Sequence, residues 1–248
     1  MTVIPFPTSK NVSKGLFDEQ RDALLVVDAL LHASPVPLTA VTDRSSGAYA
    51  LLYTGTLPMY SRARRSPDLP SEASIVEAGG YPLYSGKCLS FAERAYRHAS
   101  NLRQVADLAP TEFLMVMVPT AGAAGAAYAE QLAIDVLAPV LNLVATGLGS
   151  RAQGPGRRRV QRRSRFDVLH PGRKTTGALP GAGPTREQLI AAVFAHLETT
   201  IPDCMMQPPA ARRVWQGVVT AAASPRSDAT NRSGRRPAPR PPSCSSGR

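Results

Sequence analysis

The sequence predicts an α+β fold: a small antiparallel sheet of three strands flanked by helices, followed by a basic arm and a tail without core-forming residues. Three observations point there. Two short apolar runs, 47–53 and 82–87, each read as a strand with one inward-facing tyrosine and a glycine at its edge. A third run, Phe113 to Val118, reads as a buried strand. Segments with helical periodicity, 18–32, 91–105 and 123–137, stand before, between and after these strands.

A chain of 248 residues, 43% of them hydrophobic, is long enough to bury a real core. Its net charge of +11 is unevenly spread. Residues 1–150 carry 11 Lys and Arg against 13 Asp and Glu, a net of −2, whereas residues 151–248 carry 18 against 5, a net of +13. That asymmetry points to a polyanionic partner, most simply nucleic acid, because each phosphate neutralised releases counterions. Cys88, Cys204 and Cys244 are an odd, widely spaced set, which argues for a reducing, cytoplasmic compartment and against a disulfide framework or a zinc site. Met1 to Lys14 lack the basic start and apolar run of a secretion signal. The longest uncharged apolar stretch, Phe113 to Ala129, is broken by Pro119 and glycines, so it reads as a strand and a helix start, not a membrane span.

In chain order, Asp18 to His32 carries Leu24, Leu25, Val27, Leu30 and Leu31 at helical spacing and stops at Ser34-Pro35. Val36 to Asp43 is extended, and the Gly47 strand closes at Thr54-Gly55. Residues 56–80 read as a long loop with a helical turn near Glu72 to Ala78; its Arg62, Arg64 and Arg65 either contact nucleic acid or are solvated. Phe91 to Val105 is a helix with Phe91, Ala95, Leu102 and Val105 on one side. Ala123 to Leu137 is another, striped by Ala129, Leu132, Ala133 and Val136 and ended by Pro139. Residues 147–173 form a glycine- and arginine-rich arm ending in Phe166-Asp167-Val168-Leu169-His170-Pro171-Gly172-Arg173. Thr185 to Ile201 is a helix opened by a Thr185-x-x-Gln188 capping box, with Leu189, Ile190, Val193, Phe194 and Leu197 on one face. From Ala221 the composition is that of a disordered basic tail.

Pairing the two glycine-edged strands sets Tyr49 beside Tyr84, either as packing residues or as a proton-handling surface. Arg94 and His98, four apart, share a helix face. Glu130 sits among alanines and either faces water or holds something positive. With Lys87 and Asn142, these side chains match phosphodiester hydrolysis, which needs a base for water, positive charge for the phosphate, and a metal ion or acid for the leaving oxygen.

These residues resemble the GIY-YIG nucleases. Gly47-Ala48-Tyr49 stands at the first triplet and Tyr84-Ser85-Gly86 at the second, with Ala48 and Ser85 in place of the usual isoleucines. Arg94 and Glu130 match the family's arginine and metal-binding glutamate. His98, Asn142 and the segment Phe166 to Arg173 make the chain more similar still to the family's type II restriction endonucleases. The resemblance implies a GIY-YIG nuclease fold in which Tyr49 orients or deprotonates the water, His98 takes up that proton and Tyr84 helps to position the water. It further implies that Arg94 holds the scissile phosphate, Glu130 the Mg²⁺ and Asn142 the surrounding geometry. Lys87, Arg157, Arg158, Arg159, Arg162, Arg163, Arg165 and Arg173 are then expected to contact double-stranded DNA. A homodimer cutting a GC-rich palindrome such as CCGCGG, and a cognate DNA methyltransferase in the host, are implied as well. The expected organisation is a helical extension at 1–45, a nuclease core at 46–145, a DNA-binding arm with a helix at 146–220, and the tail at 221–248. A non-catalytic basic nucleic-acid-binding protein, or a GIY-YIG repair or homing nuclease, are the alternatives.

Overall fold

The computed structural model describes residues 25–201 except 66–69, 71–72, 79, 121–122, 150–161, 175, 177–178 and 181–182. The predicted helical residues 18–24, the tail, and Arg157, Arg158 and Arg159 lie outside the described residues. Helix α1 spans 25–32 and buries Val26, Val27, Leu30 and Leu31, while Leu25 is exposed. Then come β1 (Val36–Pro37), β2 (Gly47–Tyr53), α2 (Ile75–Ala78), β3 (Tyr84–Cys88), α3 (Phe91–Leu102), β4 (Phe113–Pro119), α4 (Ala123–Leu137), α5 (Val140–Leu143), α6 (Arg165–Leu169) and α7 (Arg186–Thr200).

The sheet is antiparallel in the order β1-β4-β2-β3. It has four strands, one more than the sequence predicts, because Val36 and Pro37 pair with Met115 and Leu114. Every residue of β2 is buried, since strands flank it on both sides and helices cover both faces. Alternation along β2 and β3 directs Tyr49, Tyr84 and Gly86 toward α3, and Ala48, Ala50, Ser85 and Lys87 toward α4. Small residues, Ala126, Ala129 and Ala133, form the buried stripe of α4 against that second face. Leu132 and Val136, predicted in this stripe, are only partly buried. No helix among the described residues is long and apolar enough to cross a membrane.

Where it is described, the segment 56–80 packs on the core and is no solvated insertion, although Arg64 remains exposed. Met59, Tyr60, Ala63 and Ile75 are in the core. Arg65 is buried and donates to the carbonyls of Pro70 and Ala73, and Arg62 donates to the carbonyl of Ile201 at 2.8 Å. A buried guanidinium can be held this way because its five donors find carbonyls that would otherwise be orphaned.

The motif at the end of the arm is a packing key. Ser164 caps α6 by accepting from the Asp167 amide. Asp167 pairs with Arg173, whose guanidinium lies 5.1 Å above the Phe166 ring and donates to the carbonyl of Gly147. Arg173 is therefore buried and engaged internally, a correction to its expected role in contacting DNA. Gly172 has φ +133°, and a β-carbon there would strike the carbonyl of Gln104 and the backbone of Val105. His170 is wholly buried; its Nδ1–H donates to Asp107 at 2.9 Å, which leaves Nε2 to accept from the Tyr60 hydroxyl at 2.7 Å. Arg186 closes the chain, donating to Asp107 at 3.1 Å and to the carbonyl of Leu169. The predicted capping box starts α7, which buries Leu189, Val193 and Leu197 and leaves Phe194 exposed.

Burial pushes the Asp107 carboxyl up, but the bonds from His170 and Arg186 outweigh it and hold the group below its usual value. A depressed folded value means that the stabilisation is present above the unfolded value of about 3.9 and is lost as pH falls through the folded one. Asp107→Asn is expected to lower stability at neutral pH by about 1–3 kcal/mol, a gap that closes in acid. Denaturant melts across pH check this, and a gap that stays constant with pH would contradict it.

Candidate active site

β2 and β3 pair in the register Tyr49 opposite Gly86, with Tyr84 opposite Leu51. That register explains the second glycine of the strand pair. A β-carbon on Gly86 would lie 2.5 Å from the Tyr49 hydroxyl oxygen and 2.9 Å from the Tyr84 ring, so only glycine lets the Tyr49 ring cross β3. Gly47 is constrained similarly: its β-carbon would come within 2.7 Å of the Phe91 ring. The Tyr49 and Tyr84 ring centroids are 6.1 Å apart.

Helix α3, capped by Ser90, carries Arg94 and His98 on the face turned to these rings. Arg94 donates from Nε to the Tyr49 oxygen at 2.8 Å and from Nη2 to the Tyr84 oxygen at 3.4 Å. Its Nη1 has no partner among the described residues. Burial works against the Arg94 charge, but the two phenol oxygens outweigh it and keep the guanidinium charged. The His98 Nε2 lies 2.7 Å from the Tyr49 oxygen. With Arg94 already donating to that oxygen, the arrangement that uses the phenol proton has Tyr49 donating to Nε2 and the other ring proton on Nδ1. Nδ1 is buried with no hydrogen-bond partner among the described residues.

Burial, then the neighbouring Arg94 charge, pushes His98 down to about 3. Burial also raises Tyr49 well above a free phenol, with Tyr84 adding to the effect and Arg94 opposing it. The free protein thus holds a neutral Tyr49–His98 pair under a fixed cation, not the depressed phenol that a water-activating tyrosine suggests.

Two expected residues act at a distance from the phenols. Asn142, delivered by α5, accepts from the Ser85 amide at 2.8 Å and donates to the Ser85 carbonyl at 2.9 Å. Its carboxamide occupies the place of a neighbouring strand and fixes the segment that presents Tyr84 and Gly86. Glu130 pairs with Lys87 at 3.2 Å, both partly exposed, so the positive group it holds is this lysine. Beside them a groove of about 460 Å³ is lined by Lys87, Arg94, Ser90, Ala123 and Ala126, the last one turn before Glu130. Among the described residues no cluster of three or more His, Cys, Asp or Glu could hold a metal ion. A single hard carboxylate does not suit zinc, but it fits Mg²⁺ where phosphate oxygens and waters complete the shell.

Sequence reasoning missed Gly149. A β-carbon there would strike the Tyr84 hydroxyl and lie 2.8 Å from Arg94 Nη2, so the root of the arm lies directly over the tyrosine–arginine pair. The chain is anchored here by Asn101, which donates to the carbonyl of Leu148 at 3.2 Å, and by the bond from Arg173 to Gly147. Tyr49 is fully enclosed and Tyr84 is 8% exposed. Its one sequence signal was a glycine-rich start to an arginine-rich arm. Of the expected DNA-contacting arginines, Arg162 and Arg165 are exposed and Arg163 is half-buried, donating weakly toward Leu179.

The neutral His98 is testable by NMR. Its ring signals should not shift as pH passes through the ordinary imidazole value of about 6.5. A midpoint near that value would show that the ring is open to water or balanced by an anion.

No curated protein matches the chain significantly. The family model described as the Eco29kI GIY-YIG domain matches residues 42–197, a span that holds both tyrosines, Arg94, His98, Glu130, Asn142 and the packing key of the arm. The chain therefore belongs to the Eco29kI GIY-YIG family of restriction-type nucleases.

Proposed function

We propose that the protein is a type II restriction endonuclease that hydrolyses phosphodiester bonds of double-stranded DNA at a specific, GC-rich palindromic site, with Mg²⁺ as cofactor. The observation that carries this reading is the Tyr49 oxygen, held between a charged arginine and a neutral imidazole beside a groove edged by the Lys87–Glu130 pair. A palindromic target suits a homodimer in which each copy cuts one strand, and a host carrying the enzyme needs a methyltransferase that protects its own sites.

In this reading Arg94 turns its unpartnered Nη1 to the scissile phosphate. The phosphate charge offsets the guanidinium field on His98, which raises the basicity of the imidazole once DNA is bound. Tyr49 passes its proton to His98 Nε2 as it takes one from the attacking water, so a free tyrosinate is never required despite the raised phenol. Tyr84, through its contact with Arg94, helps to place the water. Glu130 would hold Mg²⁺, which supplies Lewis-acid stabilisation of the phosphate and leaving oxygens. Lys87 orients the Glu130 carboxylate before the cation arrives. The root of the arm around Gly149 lies over Tyr84 and Arg94, which links the shape of the phosphate subsite to the start of the basic arm.

A plasmid digest with Mg²⁺ and with EDTA tests the reading. Wild type is expected to give discrete fragments with Mg²⁺ alone. Tyr49→Phe and Glu130→Gln should lose roughly 10² -fold or more in cleavage rate while binding DNA. A Tyr49→Phe protein that cuts at the wild-type rate would remove the tyrosine from the chemistry, and loss of binding in Glu130→Gln would remove the carboxylate from the metal role. Gly149→Ala, which pushes on Arg94 and Tyr84, should fold and bind DNA but cut roughly 10- to 100-fold more slowly. Unchanged cleavage in that variant would mean that the arm root does not shape the phosphate subsite.

A further inference from the structure

The N-terminal half of α3 carries a second groove, about 550 Å³ in volume, walled by Arg44, Ser90, Glu93, Tyr96 and Arg97. Ser90, Glu93 and Arg97 also line the groove that holds Lys87 and Arg94, so the two join into one trough across the first turns of α3. The far wall is fixed by backbone bonds. The Ala92 amide donates to the Asp43 carbonyl at 2.7 Å and the Phe91 amide to the Ser45 carbonyl at 3.1 Å, which sets Arg44 against the start of the helix. Arg97 follows Arg94 by three residues, so the two guanidiniums are neighbours on the helix surface, one turned inward to the phenols and one outward.

Nothing in the core uses the outer residues. Tyr96 is 70% exposed, and Arg44 and Arg97 are exposed. The acid that lines both grooves, Glu93, lies 3.7 Å from Arg97, with both side chains exposed. Such a pair is weak and is readily exchanged for a phosphate. Two arginines around an exposed aromatic ring, leading to the arginine of the active site, make a path that suits a sugar–phosphate chain: planar guanidinium forks for phosphates and a flat ring for the sugar edge between them.

We propose that this trough is a binding site for the DNA backbone beside the scissile phosphate, with Arg44 and Arg97 each holding a phosphate and Tyr96 packing on the sugar between. The site rests on the nuclease reading, whose phosphate it extends. Arg44, Tyr96 and Arg97 position the strand so that the bond to be cut arrives at Arg94. Glu93 tempers the affinity, because its charge repels phosphate and competes for Arg97.

The test is binding of a short DNA duplex in EDTA, by fluorescence anisotropy over a series of salt concentrations. Arg44→Ala and Arg97→Ala should each weaken binding and reduce the slope of log affinity against log salt by about one. Glu93→Gln should bind more tightly than wild type. Arg103→Ala removes one equal charge from an exposed site at the other end of α3 and should leave the slope unchanged. Slopes for Arg44→Ala and Arg97→Ala that match wild type, or weaker binding by Glu93→Gln, overturn the trough. A wild type that binds but never cuts with Mg²⁺ overturns the nuclease reading, whereas a wild type that cuts normally while the slopes stay fixed overturns the trough alone.

Discussion

The site depends on one register. Tyr49 lies opposite Gly86, and its ring occupies the volume that any side chain at that position would claim. A slip of one residue would turn Tyr49 to the α4 face, away from Arg94 and His98. Because β2 is also paired with β4 along its whole length, its position under α3 is fixed from both sides. The amphipathic face of α3 lands with Arg94 and His98 at a buried hydroxyl that accepts from the one and donates to the other. The glycines thus act through what they permit: they let a large polar side chain lie flat across a strand.

The molecule contains two buried tyrosine–histidine pairs, and their difference separates chemistry from architecture. His170 has Asp107 behind it and Arg186 behind that, so the Tyr60 hydroxyl, both ring nitrogens of His170 and both oxygens of Asp107 are engaged within the protein. Such a network holds α6 and α7 to the core and has no spare capacity. His98 has no carboxylate, its Nδ1 is without a partner among the described residues, and its neighbour is a cation. A group left so far from its usual protonation behaviour is costly to keep, and it responds strongly when an anion arrives.

Much of this was legible in the chain. Alternation placed Tyr49 and Tyr84 on neighbouring strands, and a spacing of four put Arg94 and His98 on one helix face, because both follow from local periodicity. β1 was not legible as a strand, since two residues carry no period. The salt bridge of Glu130 with Lys87 joins elements 43 positions apart and leaves no local trace. Arginine misled most. Arg62, Arg65 and Arg173 look like adhesive surface charge in the sequence, yet each is spent on carbonyls or a buried carboxylate that only the folded chain brings near. Gly149 was hidden for the opposite reason, because it acts by lacking a side chain and composition cannot say which glycine of an arm lies over a site.

Asn142 has a consequence for how the protein keeps to itself. β3 is the edge of the sheet, and an unprotected edge is a template on which another chain can add a strand. Here the outward amide and carbonyl of Ser85 are both taken by a side chain, and the carbonyl of Leu83 accepts from the Leu141 amide. At the opposite edge β1 is two residues long and ends in a proline. The strand that presents Tyr84 is therefore also sealed against sheet extension, so a substitution at Asn142 would loosen a site residue and open an aggregation-prone edge in the same stroke.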